Sequence, residues 1–296
     1  MKLIKQSFEI LEQKDFTLKG IKQFIEKCAR VSYKSEDKMT DTSYEKFVGM
    51  LESRDHSRPL EFGTVHLKME FENFQAFEEV LKYDKIYNSI WIKYNEVEDE
   101  DENWFYVTTN YRYYIEMCKH IVWLPTCFDE EDSPRYPKRY TTHMILSRGV
   151  MDEFRTHIGL SHLAESTRYC NYSKDKFNNE LTFIIPNWTN IKEGHYDEKQ
   201  YADDNYYTDY SPEYSLIIHL FTAEATYLKL LQEGWKPQQA REVLPLAVKS
   251  ELISCGFADA WENFFYRRDA KDAHPMAQEI AKLMHKEFIE RGLIDK

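Results

Sequence analysis

Two periods of hydrophobic residues run along the chain, and each predicts a different kind of element. At 17–33, "TLKGIKQFIEKCARVSY", the apolar residues Ile21, Phe24 and Ile25 recur at the spacing of an amphipathic helix. At 64–72, "TVHLKMEFE", apolar and polar residues alternate as they do in a half-buried strand. The first quarter of the chain therefore predicts a helix followed by a strand.

The next part of the chain has weaker periodicity. We predict a second helix at 42–54, a helical or mixed segment at 72–95, and a strand that continues as a helix at 103–122. The acidic run at 96–102 predicts a solvated loop because like charges repel one another. Charge and two prolines predict another loop at 129–139.

The clearest helix in the sequence is predicted at 211–234. Ser211 suits the N-cap, Pro212 suits the first helical position, and Gly234 suits the end. Other predictions for this half follow the same rules: a strand at 140–147, a helix at 149–157, a strand at 180–186, a further helical region at 236–269 that begins with Pro237, and a last helix at 275–292.

These elements predict an α+β fold. We expect an antiparallel sheet flanked by long helices, with a helical C-terminal half and one domain that spans 1–296.

Composition limits the classes of partner. The chain has 296 residues, of which 51 are acidic and 39 basic, so its formal net charge is −12. A chain this acidic repels polyphosphates, and we expect no nucleic acid polymer as a partner. A single nucleotide is not excluded, since a few local arginines suffice to bind one phosphate.

Cysteine usage and hydropathy suggest the compartment. The five cysteines are odd in number and form no C-x-x-C pair, which indicates reduced thiols in a cytoplasmic protein and no zinc or other metal site. The N-terminus lacks the pattern of a signal peptide, and no run of apolar residues is long enough to predict a membrane span.

Candidate chemistry is densest at 155–173, "RTHIGLSHLAESTRYCNYS", where hydrogen-bonding groups lie close to the apolar segment at 180–186. Ser166 and Arg168 are two positions apart, so an extended or turn segment points both the same way. A hydroxyl, backbone N–H groups and a guanidinium suit a phosphate. A capped helix start with a surface arginine is the alternative, and spacing alone favours it.

Two later segments add arginines. Arg241 precedes Pro245 in a segment that we interpret as an apolar helix kinked by the proline, where an arginine has an anionic or planar partner. Asn263 and Arg267 are four positions apart and share a helical face, with Arg268 beside them. The alternatives are a salt bridge for Arg241 and a solvated face for the second group.

A histidine lies among charged residues before the strand at 64–72. The segment "DHSRPLEF" at 55–62 contains His56, Arg58 and Glu61. A lone histidine in such a place is more often a structural hydrogen-bonding group than a catalyst.

Taken in order, these segments resemble the flavin-dependent thymidylate synthases. The motifs are "ARVSY" at 29–33, "HSRPLEF" at 56–62, the segment at 148–169, and "AREVLPL" followed by "ENFFYRRDAKDAH". The resemblance covers roughly 20–71 and 140–285, and the segment at 72–139 is an insertion that compact members lack.

The chain departs from the family pattern at several positions. Where members carry Arg-His-Arg, the gapless match has Thr156, His157 and Ile158, with Arg155 one position early. The match continues through Ser166, Arg168 and Tyr169. Ala164, two positions before the motif serine, stands in place of the usual glutamate or glutamine. Other departures are Phe62 in place of a histidine, and Phe257 and Asp259 in place of an asparagine and an arginine.

The resemblance implies a specific reaction. Family members form homotetramers that bind FAD between subunits, and they convert dUMP to dTMP with methylenetetrahydrofolate as the carbon donor and NADPH as the reductant. The resemblance therefore implies a methyltransferase whose catalytic residues are Arg268, which would polarise the uracil ring, and Ser166.

Further roles follow from the same match. The implied substrate-binding residues are Glu153, Arg155, Glu165, Ser166, Thr167, Arg168, Arg241 and Arg268. The implied flavin-binding residues are Ser32, His56, Arg58, Glu61, His157 and Asn263. Two alternatives stay open: a related pyrimidine-nucleotide hydroxymethylase, and a non-catalytic homologue that binds a nucleotide or flavin.

Overall fold

The computed structural model describes residues 1–83, 90–98, 103–168, 170–174, 179–205 and 211–295. Its helices are α1 Leu18–Tyr33, α2 Ser43–Ser53, α3 Phe71–Tyr83, α4 Tyr111–Met117, α5 Arg148–Arg155, α6 Glu198–Asn205, α7 Pro212–Gln232, α8 Pro237–Ala240, α9 Ala258–Arg268 and α10 Pro275–Glu290. Its strands are β1 Lys2–Ile4, β2 Ser7–Leu11, β3 Thr64–Glu70, β4 Ile92–Glu98, β5 Asn103–Asn110, β6 Phe128–Asp129, β7 Arg139–Ser147, β8 Ser161–Ala164, β9 Thr182–Ile184, β10 Gly194–His195 and β11 Lys249–Phe257.

The central sheet is antiparallel, with strand order β2-β7-β11-β8. Strand β11 pairs with β7 along its whole length and with β8 on its other side. Because side chains alternate across a strand, Leu252 joins a core with α5, α9 and α10, while Ile253 joins a core with α1. The sheet is therefore covered by helices on both faces, and the predicted α+β fold class is confirmed.

The insertion builds a second antiparallel sheet, with strand order β4-β5-β3-β6. Strand β3 lies outside the insertion, yet it pairs with β5 from Thr64–Asn110 to Glu70–Trp104. Apolar side chains of the insertion, including Val107 and Tyr113, share one core cluster with α1 and with Ile253 of β11. The insertion is thus joined to the rest of the chain by both strand pairing and packing.

A third, smaller sheet has the order β10-β1-β9, and its β1–β9 pair is parallel. Helix α7 covers it through Ile217, Leu220 and Phe221. The predicted helix ends are confirmed here, because the Ser211 Oγ accepts a hydrogen bond of 3.1 Å from the Tyr214 N–H and Gly234 follows with a φ of +93°.

The prediction of a continuous helical region at 236–269 is wrong. Helix α8 ends at Ala240, Arg241 begins a single 3₁₀ turn, and Pro245 lies in a loop before β11, so there is no helix for the proline to kink. Residues 250–257 are buried on both faces of the sheet. A strand buried on both faces has no alternating pattern, and its period does not distinguish it from a buried helix.

Part of the predicted acidic loop at 96–102 is also wrong. Strand β4 continues to Glu98, because Glu96, Val97 and Glu98 pair with the start of β5. Residues 99–102 lie outside the described part of the chain. Pairing with a neighbouring strand outweighs the repulsion between the acidic side chains at 96 and 98. Among the described residues, no helix combines the length and the apolar character that crossing a membrane requires.

Candidate active site

The serine and arginine motif forms a turn at the end of β8. Strand β8 ends at Ala164, and residues 167 and 168 form the turn that follows. The Ser166 N–H donates to the Ser32 carbonyl at the end of α1 over 3.1 Å, and the Cys170 N–H donates to the Ser166 carbonyl over 3.0 Å. The structure therefore brings Ser32 and Ser166 together, whereas Tyr169 lies outside the described residues.

Arg241 reaches this turn from a distant part of the chain. Its Nη1 donates to the Oγ1 of Thr167 over 3.2 Å, and its Nε lies 3.5 Å from the Glu242 carboxylate. Thr167 is buried, while Arg241 is half-buried and Arg168 is exposed. Two guanidinium groups thus lie at or beside one turn, an arrangement that suits an anion with several oxygens.

Glu165 lies behind the turn and is 1 % exposed. Its carboxylate accepts hydrogen bonds from the Tyr172 hydroxyl at 3.0 Å and from the Lys249 Nζ at 2.8 Å. Burial alone would lower the pKa of Lys249, but Glu165 and Glu251 outweigh it and raise that pKa above its ordinary value. Lys249 is therefore a protonated cation between two carboxylates.

Arg268 forms a second group, with Glu153. Its Nη2 donates to the Glu153 carbonyl over 2.7 Å, and its Nη1 lies 3.4 Å from the Glu153 carboxylate. The guanidinium also lies 5.9 Å from the centre of the Phe154 ring, within cation–π range. The Arg268 Nε is buried and has no hydrogen-bond partner among the described residues.

Arg268 and Glu153 line a cavity of about 710 Å³. Apolar side chains form much of its wall, and Trp188 and Leu246 remain exposed there. The full lining is Ser147, Gly149, Val150, Asp152, Glu153, Thr156, Ile184, Pro186, Trp188, Leu246, Ala247, Arg268, His274 and Met276. A mostly apolar cavity with a few converging polar groups is the usual form of a small-molecule site.

His157 is buried behind Arg268. Burial and the nearby charge of Arg268 lower the pKa of His157, so its ring is neutral at pH 7. Its Nε2 has no hydrogen-bond partner among the described residues. Its carbonyl lies 3.2 Å from the Nε2 of His162, whose Nδ1 lies 2.8 Å from the Ser254 hydroxyl. His162 thus fixes the backbone that carries His157.

Glu61 is buried and already bonded by residues of this chain. Its carboxylate accepts bonds from Arg112 Nη1 at 2.7 Å and from the Ser161 hydroxyl at 2.5 Å. Arg139 donates to the Glu61 carbonyl over 2.7 Å. Since Arg112 belongs to the insertion, the insertion supplies the charge that balances Glu61.

Four other predicted site residues lie on the surface. His56 and Arg58 are exposed, and Arg155 lies 3.6 Å from Asp152 in an exposed pair. Asn263 is exposed and accepts a hydrogen bond of 3.3 Å from Arg267, which confirms that these two share a helical face. Within the described ranges, no hydrogen bond or ion pair joins these four to Thr167 or to Arg268.

The departures from the family pattern have structural consequences. Phe62 and Phe257 are buried in the core, and Asp259 forms an ion pair with Lys93 of the insertion. Thr156 lines the cavity, and Ile158 is 83 % exposed. The replaced positions thus serve packing or insertion contacts, or face solvent.

Sequence analysis missed Tyr172, Lys249, Arg112, Trp188 and Leu246. The signal for Lys249 was present, because Lys249 and Glu251 are two positions apart and share one face if the segment is read as a strand. No sequence spacing links Arg112 with Glu61, because their contact depends on how the insertion folds back.

The family profile described as "Thymidylate synthase complementing protein" matches residues 128–291. No curated protein matches the chain.

Similar solved structures include the UMP/dUMP methylase PolB from Streptomyces cacaoi. The structure bound with 5-Br UMP is 16 % identical to this chain, with a TM-score of 0.42, and the match covers 99 % of this chain and 92 % of PolB. The structure bound with 5-Br dUMP is 17 % identical, with a TM-score of 0.42, and the match covers 99 % of this chain and 93 % of PolB. Thymidylate Synthase X (ThyX) from Helicobacter pylori, solved with FAD and dUMP, is 18 % identical with a TM-score of 0.37 and covers 50 % of this chain and 66 % of its own. Because the family profile matches more than half of the 296 residues, the chain belongs to the thymidylate synthase complementing protein family, the flavin-dependent thymidylate synthases.

Proposed function

We propose that this protein is an FAD-dependent enzyme that methylates dUMP to dTMP, with methylenetetrahydrofolate as the carbon donor and NADPH as the reductant. The observation that carries the proposal is the contact between Arg241 and Thr167, residues 74 positions apart. This contact brings two separate family motifs into one cationic turn. Ser166, Thr167, Arg168 and Arg241 would hold the nucleotide phosphate through charge-assisted hydrogen bonds.

The described residues also fit a flavin. Among the predicted flavin-binding residues, two buried side-chain atoms have no hydrogen-bond partner in the described part of the chain: Ser32 Oγ and His157 Nε2. Buried polar atoms of this kind are normally satisfied, so a bound molecule with complementary polar atoms accounts for them. Ser32 and His157 would hold the flavin, with His56, Arg58, Glu61 and Asn263 as further proposed contacts. When bound, the flavin supplies the hydride chemistry.

Arg268 is proposed as the catalytic cation. Glu153 holds two of its nitrogens, so the guanidinium is fixed in the cavity before a substrate arrives. A fixed cation beside the uracil ring would stabilise negative charge that develops there during the reaction, and a preorganised charge of this kind is a large contribution to catalysis.

The cavity is lined by only one of the two groups, which supports an assembly. Arg268 and Glu153 line the cavity, but Thr167 and Arg241 do not. A site in which one subunit supplies the phosphate turn and another supplies Arg268 would unite them, so we propose a homotetramer with sites between subunits. We also propose a cytoplasmic location.

Two measurements on the purified protein test the proposal. Titration with FAD should give a flavin absorbance spectrum that changes on addition of dUMP. Calorimetry with Arg168→Ala should show dUMP affinity reduced at least about tenfold, since a hydrogen bond to a charged group is worth roughly 1.5–3 kcal/mol. Absence of flavin binding, or equal dUMP affinities for wild type and variant, would contradict it.

A further inference from the structure

The turn that carries Ser166, Thr167 and Arg168 is bracketed by a hydrogen bond between two buried residues. Glu165 precedes the turn and Tyr172 follows it, and they are 1 % and 5 % exposed. The Tyr172 hydroxyl donates to the Glu165 Oε1 over 3.0 Å. This bond joins the two residues that flank the turn and so ties its two ends together.

Lys249 attaches Glu165, and with it the turn, to the central sheet. Its Nζ lies 2.8 Å from Glu165 Oε2 and 2.6 Å from Glu251 Oε1, and its side chain is 13 % exposed. The Glu165 N–H also donates to the Glu251 carbonyl over 2.8 Å. The backbone and the side chain of Glu165 are therefore both tied to β11.

Other cations balance the second carboxylate. Glu251 is also contacted by Lys34, at the end of α1, and by the Nε2 of His143 at 2.8 Å. Each buried carboxylate in the cluster therefore has at least one cation, and such paired charges hold their geometry because separating them is costly.

The cluster fixes the position of the turn. The hydroxyls and backbone N–H groups of the turn lie on a loop, and loops position ligand-binding groups less accurately than helices or strands do. The cluster provides support from behind without presenting a group of its own, since the Glu165 carboxylate is buried and already bonded by two donors.

We propose that Glu165, Tyr172 and Lys249 are positioning residues that hold the turn in the shape that binds the substrate's phosphate. The inference rests on the proposed function, because it takes the phosphate of dUMP as the ligand of the turn. Glu165, which the family resemblance implied to be a substrate contact, acts here from behind the turn and does not touch the nucleotide.

The test compares two matched tyrosines in the full-length protein. Tyr172→Phe removes the bond to the buried Glu165. Tyr111→Phe removes a tyrosine–glutamate bond of the same length elsewhere in the chain, since the buried Tyr111 hydroxyl donates over 3.0 Å to Oε1 of Glu52, which is itself exposed. Binding of dUMP and of deoxyuridine, which lacks the phosphate, is measured by calorimetry. Thermal melting confirms that each variant is folded.

We expect Tyr172→Phe to bind dUMP about tenfold more weakly, the size expected for one lost hydrogen bond to a charged group, with unchanged affinity for deoxyuridine. Tyr111→Phe should leave both affinities unchanged. Glu165→Gln is the second variant; it keeps an acceptor for Tyr172 but removes the charge that Lys249 pairs with, so it should also reduce the preference for dUMP over deoxyuridine.

The outcomes separate the two proposals. If wild type binds deoxyuridine as tightly as dUMP, there is no phosphate site, and the proposed function fails together with this inference. If wild type prefers dUMP and Tyr172→Phe and Glu165→Gln keep the full preference, only the positioning role is overturned. An equal loss of preference in Tyr111→Phe would also overturn it, because the effect would then not be local to the turn.

Discussion

Arg268 is a cation that the chain holds with its own carboxylate while one donor nitrogen remains unused. Glu153 accepts from Nη1 and Nη2, and Nε is buried without a partner among the described residues. The arginine was identified from its motif, but its partner Glu153 lies 115 positions away, and sequence spacing could not show which group fixes its orientation.

We predict that Arg268→Ala and Arg268→Lys each reduce the turnover rate by about a hundredfold or more, as does removal of a preorganised donor. Lysine keeps the charge but loses the planar guanidinium that reaches two Glu153 oxygens at once, so it should not restore activity. Flavin affinity should change much less. The measurement is steady-state turnover of dUMP, with the exposed neighbour Arg267→Ala as the control variant.

Arg267→Ala should retain nearly the wild-type rate. Equal activity of wild type and Arg268→Ala would remove the catalytic role from this residue while leaving the family assignment unaffected.

The surroundings of His143 lead us to expect that the stability of the protein depends on pH. Burial alone would lower its pKa, but hydrogen bonds to Glu251 and Glu9 outweigh burial and raise the pKa above the ordinary value of 6.5. A histidine whose pKa is raised in the folded state contributes its full stabilisation at pH values below its pKa in the unfolded chain. This contribution is lost as the pH rises through its pKa in the folded state. The neighbouring charges are Lys249 and Lys34, which contact the same Glu251.

We therefore expect wild type to lose more unfolding free energy than His143→Gln as pH rises from about 6.5. Urea unfolding of both proteins over a pH series measures the difference. His66→Gln is the control. Burial lowers the pKa of His66 to about 4, so the effect of His66 on the pH dependence of stability lies at acid pH. Parallel curves for wild type and His143→Gln above that pH would contradict the assignment.

Strand β11 is the element on which the site depends. It carries Lys249 and Glu251 on the α1 face and leads directly into α9, which ends with Arg268. Helix α5 carries Glu153, and its first residue is held to the loop before β11 through the Arg148 N–H and the Val248 carbonyl, 2.9 Å apart. An error in the register of this strand would therefore disturb both groups of the site.

Strand β11 is tightly packed at Gly256. A Cβ at this position would lie 2.5 Å from Leu160 Cδ2 and 3.0 Å from the Gly159 carbonyl oxygen. Gly256→Ala should therefore reduce the unfolding free energy by about 1–3 kcal/mol, as overpacking does. Gly49→Ala, in helix α2 with no atom within 4 Å of the added Cβ, should instead be stabilising by about 0.5–1 kcal/mol.

Urea unfolding of the two variants beside wild type gives both values. A neutral Gly256→Ala would mean that the strand and the loop at 159–160 are not in close contact.

Elements with capping signals or a clear alternation of apolar and polar residues were predictable from the sequence, even where most residues are buried, as in β3, whereas β11 was not. The capped helix α7 and the alternating strand β3 were found with their ends near the observed ones. Strand β11 was missed because helices cover both faces of its sheet and leave no alternation to detect. The motif residues of the site were found by resemblance, but their supports Lys249 and Tyr172 are buried partners that only the fold brings together.

At the scale of the whole molecule, the insertion is joined to the family fold by charge as well as by strand pairing. Arg112 bonds the buried Glu61, and Lys93 forms an ion pair with Asp259 at the start of α9. The first pair involves a carboxylate that is 4 % exposed, while both members of the second are substantially exposed. The two contacts therefore differ in what their loss should cost.

We predict that Arg112→Ala reduces the unfolding free energy by about 1–3 kcal/mol. This is less than for a fully buried pair, because the Arg112 side chain is 27 % exposed. Lys93→Ala should cost about 0–1 kcal/mol, as exposed pairs do. Urea unfolding of the two variants provides the comparison, and a loss for Arg112→Ala no larger than that for Lys93→Ala would contradict the role of Arg112 in balancing Glu61.

The measurement that tests the central claim most directly is turnover of dUMP by the FAD-loaded protein. Reduced enzyme is mixed anaerobically with methylenetetrahydrofolate, with and without dUMP, and flavin reoxidation and product mass are followed together. We predict reoxidation only when dUMP is present, with dTMP as the product. Formation of hydroxymethyl-dUMP without flavin reoxidation would contradict the methylation, because transfer of a hydroxymethyl group consumes no hydride. The absence of any dUMP-dependent reoxidation would likewise contradict the account.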